Sequence, residues 1–198
     1  MTHVVFDIGN VLIRWDPLHA FADAFGGAEA AGACLARMGF AGLNARADRG
    51  ALFSELAAEI ADEEDRALFA SYPERFHLTI AERVPGSWEI LARLKAAGVP
   101  LHAITNWSEE TWPAALALYP ALAESFGTIV VSGTERMMKP ERAIFDLLCA
   151  RAGVAPGDCL FIDDSPKNVD GARAAGMEAL LFTDAPALER DLTERGLI

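Results

Sequence analysis

Five short runs of apolar, β-prone residues constrain this chain more than any other feature: Thr2–Phe6, Leu101–Thr105, Thr128–Val131, Cys159–Ile162 and Ala179–Phe182. Most are nearly unbroken in their apolar character. That is the signature of strands covered on both faces, as in a parallel sheet, rather than of strands with one face in water. Helical periods separate the last four. Trp88, Leu91 and Leu94 share a helix face, and so do Ile144, Leu147 and Leu148. Strand and helix in alternation predict an α/β fold with an open parallel sheet and right-handed crossovers.

One segment breaks the alternation. Between the first two runs lies a long stretch without a convincing strand. Leu18, Phe21 and Phe25 form one stripe in it, and Leu52, Phe53, Leu56 and Ile60 form another. Asp16-Pro17 reads as an N-cap followed by proline at the first helical position. The expected organisation is a core of residues 1–13 and 85–198, with a helical insertion over residues 14–84. The acidic run Asp62-Glu63-Glu64-Asp65 reads as the solvated first turn of a helix.

Composition narrows the function classes. Of 198 residues, 52% are hydrophobic, enough for a sizeable core. Lys plus Arg is 17 and Asp plus Glu is 29, a net charge of −12, which argues against nucleic acid and anionic membrane surfaces as partners. No apolar stretch is long enough to read as a membrane span. The N-terminal run has no basic flank and is interrupted by Asp7, unlike a secretory leader. Cys34, Cys149 and Cys159 form no CxxC pair, and free thiols in a reducing cytoplasm are expected. The four histidines are scattered, so no transition-metal cluster is written here.

Ligands of open α/β sheets sit at the carboxyl ends of the strands. Asp7 follows the first run, Thr105-Asn106 ends the second, Lys139-Pro140 lies in the loop after the third, and Asp163-Asp164-Ser165 follows the fourth. Each alone reads equally well as a cap, a turn or surface charge. At successive strand ends they form a chemical set. Three carboxylates repel unless a cation or proton lies between them. Hard oxygen donors suit Mg²⁺. A hydroxyl, an amide and a lysine around the same point would clamp a phosphoryl group, and Asp7 could act as a nucleophile.

With those motifs in that order, the sequence resembles the haloacid dehalogenase (HAD) superfamily over essentially its whole length. The resemblance implies a Rossmann-like core with a helical cap inserted after the first strand. It implies Asp7 as nucleophile, with Thr105, Asn106 and Lys139 holding the phosphoryl group. It also implies Mg²⁺ on Asp7, the Gly9 carbonyl and Asp164, with Asp163 beside it. The Asp-x-Gly-Asn-Val form, with Thr111-Trp112-Pro113, Tyr119-Pro120 and Lys139-Pro140-Glu141, is similar to a bacterial subgroup that includes an α-D-glucose-1-phosphate phosphatase. The implied function is Mg²⁺-dependent hydrolysis of a small phosphorylated metabolite, sugar phosphates favoured, through an aspartyl-phosphate.

One position departs from the family pattern. Most family phosphatases carry a second Asp two residues after the nucleophile, as acid/base; here it is Gly9. Two alternatives follow. Family 2-haloacid dehalogenases lack that Asp and need no metal, but they also lack the acidic pair at Asp163-Asp164. A non-catalytic module binding a phospho-ligand would explain the missing acid but not the retained nucleophile and lysine. Trp15, Asn44, Arg46, Arg49, Phe76 and His77 are insertion residues that could face the site, and core or solvent positions suit them as well. Asn168 and Asp170 could support the metal ligands or cap a helix. Without a donor at Gly9, turnover is expected to depend steeply on leaving-group acidity, unless a cap residue, His77 first, supplies the proton.

Overall fold

The computed structural model describes residues 1–198. Its strands are β1 (His3–Phe6), β2 (Leu101–Thr105), β3 (Thr128–Val131), β4 (Cys159–Asp163) and β5 (Glu178–Leu181). All neighbouring pairs are parallel, in the order β3-β2-β1-β4-β5. The expected runs match to within a residue. β4 extends to Asp163, and β5 begins and ends one residue early, with the Phe182 N–H closing onto the Asp163 carbonyl at 2.8 Å.

Period-two alternation sends β1 side chains to opposite faces. Val4 and Phe6 join a large core cluster on one face, and Val5 joins a smaller one on the other with Ile104, Val130 and Phe161. The smaller cluster is closed by Ile144, Phe145 and Leu148 of helix Arg142–Ala152 and by Val169 and Ala172 of helix Pro166–Ala174. The larger is closed by Ile90, Leu91 and Leu94 of helix Ser87–Ala96, and it continues without a break into the inserted segment.

That segment is helical, as its stripes predict: helices occupy Ala22–Phe25, Ala28–Arg37, Phe40–Asp48, Phe53–Ala57, Glu63–Ala70 and Tyr72–Thr79, with no strand among them. Asp16 caps the short 3-10 turn Pro17–Ala20 by accepting the Leu18 N–H at 2.9 Å. Asp62 likewise caps Glu63–Ala70. Asp65 is a correction to the solvated reading of this run: it is buried and accepts from Arg37 Nε at 2.9 Å and Nη2 at 2.5 Å. The outgoing and returning chains run side by side, the Arg14 N–H donating to the Glu82 carbonyl and the Val84 N–H to the Leu12 carbonyl. No helix is long and apolar enough to cross a membrane.

Because the chain steps from β1 outward through β2 and β3, then crosses to β4 beside β1, the order reverses between β1 and β4. A crevice opens at such a point, outside the carboxyl ends of the strands. Helix Pro166–Ala174 narrows it by packing on the Lys139-Pro140 loop. A Cβ added at Gly171 would lie 2.6 Å from Pro140 Cβ and 2.7 Å from its carbonyl oxygen. Gly171→Ala therefore forces backbone apart. We expect overpacking to cost about 1–3 kcal/mol, outweighing alanine's helix preference of roughly 1 kcal/mol, read as a lower midpoint in urea denaturation.

Candidate active site

The crevice gathers what the strand ends promised. Lys139 is fully buried, with Nζ 2.8 Å from Asp7 Oδ1 and 2.7 Å from Asp163 Oδ2. Asn106 holds this lysine by its main chain: its Oδ1 accepts the Lys139 N–H at 2.9 Å, and its Nδ2 donates to the Lys139 carbonyl at 3.0 Å. Asp163 is saturated. Beyond Lys139, it accepts the Ser165 N–H at 2.8 Å, and Asn168 Nδ2 donates to its two oxygens at 2.9 and 3.1 Å. Asn168 thus supports the acidic pair, whereas Asp170 is exposed and lies near Arg173. The Thr105 hydroxyl is buried at the end of β2 and has no hydrogen-bond partner, so it retains an unused donor and acceptor.

Asp7, Asp163 and Asp164 each offer an oxygen within 4.8 Å of the others. Their electrostatics reflect the crowding. Burial pushes Asp7 up to about 7, and Asp163 adds to the rise while Lys139 opposes it. Burial first, then Asp163, raises Asp164. Burial pulls Lys139 down, but Asp7 and Asp163 together outweigh it and hold its pKa above the ordinary value. A dense negative site with hard oxygens fits a small divalent cation.

Above these groups is a cavity of about 200 Å³. Asp7, Gly9, Asn10, Asn106, Trp107 and Asp164 line it from the sheet side, and Trp15, Asn44, Asp48 and Phe76 from the insertion. The sequence brought forward Trp15, Asn44 and Phe76, and the structure brings all three to the site. It does not bring the others. Arg46 is paired with Glu59 and Arg49 with Glu141, both exposed. His77 is exposed, its Nδ1 3.1 Å from the Glu74 carbonyl, and it lines no part of the cavity.

Asp48 is the residue that sequence reasoning missed. It ends helix Phe40–Asp48 and accepts from Asn44 Nδ2 at 3.0 Å. Burial raises its pKa to about 7, against the pull of a Ser108 backbone hydrogen bond. The available signal was helical spacing: Asn44 and Asp48 stand four apart and share a face. Contacts to the core surround this helix end. Ser132 Oγ donates to the Asp48 carbonyl at 2.5 Å, Glu110 accepts the Phe53 N–H at 2.6 Å, and Arg49 pairs with Glu141. Gly50, at φ +96, sits so close that a Cβ there would lie 2.6 Å from the Gly133 carbonyl oxygen.

A family model described as haloacid dehalogenase-like hydrolase matches residues 1–176. The chain belongs to this family. Among curated HAD relatives, it is 30% identical over 180 residues to phosphoserine phosphatase of Thermus thermophilus, covering 86% of this chain and 70% of that one. It is 32% identical over 126 residues to phosphoglycolate phosphatase 1 of Pseudomonas aeruginosa, covering 63% of this chain and 46% of the relative. It is also 32% identical over 112 residues to a chloroplast flavin mononucleotide hydrolase of Arabidopsis thaliana, covering 57% and 45%. The chain thus spans about half the length of several relatives it matches. Its fold is that of a HAD family enzyme from Bacteroides thetaiotaomicron, with TM-score 0.73 at 17% identity over 93% and 94% of the two chains. L-2-haloacid dehalogenase from Xanthobacter autotrophicus superposes with TM-score 0.65 at 23% identity over 100% of this chain and 84% of that one. At these identities the two structures speak to the HAD fold alone.

Removing the lysine from this site tests how it is held together. Lys139→Met would leave Asp163 buried without its cation. Breaking a buried ion pair from one side costs about 3–5 kcal/mol, and chemical denaturation should show a loss of that size.

Proposed function

We propose that the protein is a Mg²⁺-dependent phosphatase acting on a small phosphorylated metabolite, with sugar phosphates favoured. The observation that carries this reading is the buried ammonium of Lys139 between Asp7 and Asp163, with the unpartnered Thr105 hydroxyl at the end of β2. A buried ammonium against the carboxylate nucleophile and a hydroxyl with an unused donor at the end of the neighbouring strand suit a phosphoryl dianion. The named activities of the phosphoserine and phosphoglycolate phosphatases point the same way, and the Bacteroides enzyme is known in complex with magnesium and inorganic phosphate.

In this mechanism Thr105 and Lys139 bind the phosphoryl oxygens, and Asn106 orients Lys139 from below. Asp7 attacks phosphorus in line with the departing oxygen and forms an aspartyl-phosphate; water then attacks that phosphorus and releases phosphate. Asp7, Asp164 and the Gly9 carbonyl would hold the cation, with Asp163 fixed beside them through Asn168. Mg²⁺ bound there supplies positive charge that offsets the carboxylates and polarises a phosphoryl oxygen. Residues 14–84 act as a cap, and residues 1–13 and 85–198 as the catalytic core. The cap's Trp15 and Phe76 offer ring faces to an apolar edge, and Asn44 and Asp48 offer polar groups to hydroxyls. That mixture, in about 200 Å³, suits a sugar-sized leaving group.

The dehalogenase alternative needs no cation, and Asp164 would then stand beside Asp7 and Asp163 as a third carboxylate with no charge to balance it. A phosphate-release screen over sugar phosphates and nucleotides, with Mg²⁺ or with chelator, tests the reading, alongside chloride release from 2-haloacids. Phosphate release that stops in chelator is expected. Chloride release that persists in chelator, with no phosphate release, overturns it. Asp7→Asn should abolish turnover, because an amide is a poor nucleophile and a weaker ligand. Asp164→Asn should raise the Mg²⁺ requirement, with part of the activity returning in excess Mg²⁺. Wild-type rates in Asp7→Asn would exclude the aspartyl-phosphate.

A further inference from the structure

Gly9 leaves the phosphatase reading without a proton donor, and one carboxyl group in the cavity has no assigned use. The sheet-side carboxylates of Asp7 and Asp164 are committed to attack and to cation binding. From the cap come Trp15, Asn44, Phe76 and Asp48, and of these only Asp48 can ionise. No Lys or Arg pairs with Asp48; its partners are Asn44 Nδ2 and the Ser108 backbone. Other carboxylates of this cap are spent differently, exposed Glu59 on Arg46 and buried Asp65 on Arg37.

Position favours the same residue. The proton must reach the oxygen that leaves phosphorus, on the side away from Asp7, and Asp48 lines from the inserted segment the same cavity that Asp7 lines from the end of β1. The helix end carrying Asp48 is held against the core by Ser132, by the Glu110 contact to the Phe53 N–H, and by the Arg49–Glu141 pair. Gly50, two residues on, packs closely on Gly133. These contacts position the backbone, while Asn44 Nδ2 and the Ser108 backbone hold the carboxylate itself, as a general acid requires.

We propose that Asp48, supplied by the cap, is the catalytic acid and base that replaces the carboxylate absent at Gly9. This rests on the phosphatase reading above. In the first step the bond from Asp7 oxygen to phosphorus forms and the bond from phosphorus to the leaving oxygen breaks. That oxygen takes the proton of the Asp48 carboxylic acid and departs as the alcohol, leaving Asp48 as carboxylate. In the second step water attacks the aspartyl-phosphate, Asp48 accepts the water's proton, and phosphate leaves with Asp7 restored. No outside proton is needed over the cycle. A carboxyl group poised near neutrality can serve in both directions, and burial places Asp48 at about 7. The steep leaving-group dependence expected from Gly9 alone is thereby reassigned to an enzyme lacking Asp48.

The test compares wild type and Asp48→Asn by kcat/KM in Mg²⁺, which reports the phosphorylation step, on phenyl, 4-nitrophenyl and 2,4-dinitrophenyl phosphates. Wild type should depend weakly on leaving-group acidity. Asp48→Asn should lose about 10²- to 10⁴-fold on phenyl phosphate yet stay within roughly threefold of wild type on the dinitrophenyl ester, whose oxygen departs unprotonated. A Cβ at Gly9 meets open space, and the backbone there is outside the left-handed region. Adding Gly9→Asp to Asp48→Asn should therefore flatten the dependence again. An equal loss across all three esters would overturn the proposal and make Asp48 a substrate-binding residue. A wild type that hydrolyses none of these esters and no metabolite phosphate would instead defeat the phosphatase reading, and this inference with it.

Discussion

The structure depends on one buried cation. An ammonium without water is costly, and Lys139 is tolerated only because Asp7 and Asp163 flank it at hydrogen-bond distance. The two carboxylates are in turn tolerable as neighbours because the lysine separates them. Much of the surrounding architecture serves this triad. Asn106 brackets the lysine's main chain, Asn168 and the Ser165 N–H occupy the oxygens of Asp163, and Gly171 lets a helix press on Pro140 without a side chain in the way. The parallel sheet contributes the point where these groups can meet, between the ends of β1 and β4.

The inserted helices solve a different problem. None is long, and none could bury its apolar face alone. They share an aromatic cluster of Phe21, Phe40, Phe53, Phe69, Tyr72 and Phe76, whose rings meet edge-on, tilted or stacked. The cluster runs on through Trp107 into the core over the sheet. Trp15 reports the join, donating its indole N–H to the Tyr72 hydroxyl at 3.1 Å while lining the cavity. Apolar continuity and a few polar ties at the Asp48 end thus join the cavity roof to the core over the strand ends.

How legible each part was in the sequence follows from the range of the interactions that define it. The strands were readable to within a residue because burial on both faces leaves local apolar runs. Asp7, Thr105 and Asp163 were readable because strand ends lie at fixed places in a parallel sheet, and Lys139 because it lies in the loop region that follows β3. Asp65 was misread because an acidic run looks solvated until Arg37, far away in sequence, is seen to meet it. His77 drew attention by residue type, yet its position on helix Tyr72–Thr79 turns it outward while Phe76 next to it turns inward. Asn106 was read from its place after the second run; that its side chain also brackets the main chain of Lys139 was not legible there, because the two lie far apart in sequence.

The sequence by itself determined the layered parallel architecture, the helical character of the insertion and the order of chemical groups along the strand ends, since these rest on periodicity and on a topology with few solutions. Tertiary structure alone decided which insertion residues face those groups. The packing of short helices against a sheet depends on side chains that meet from distant segments, and no local pattern encodes the angle at which they settle. Asp48 owes its place in the cavity to contacts with Ser132, Ser108 and the approach of Gly50 to Gly133. Its raised pKa arises only once those contacts have partly buried it.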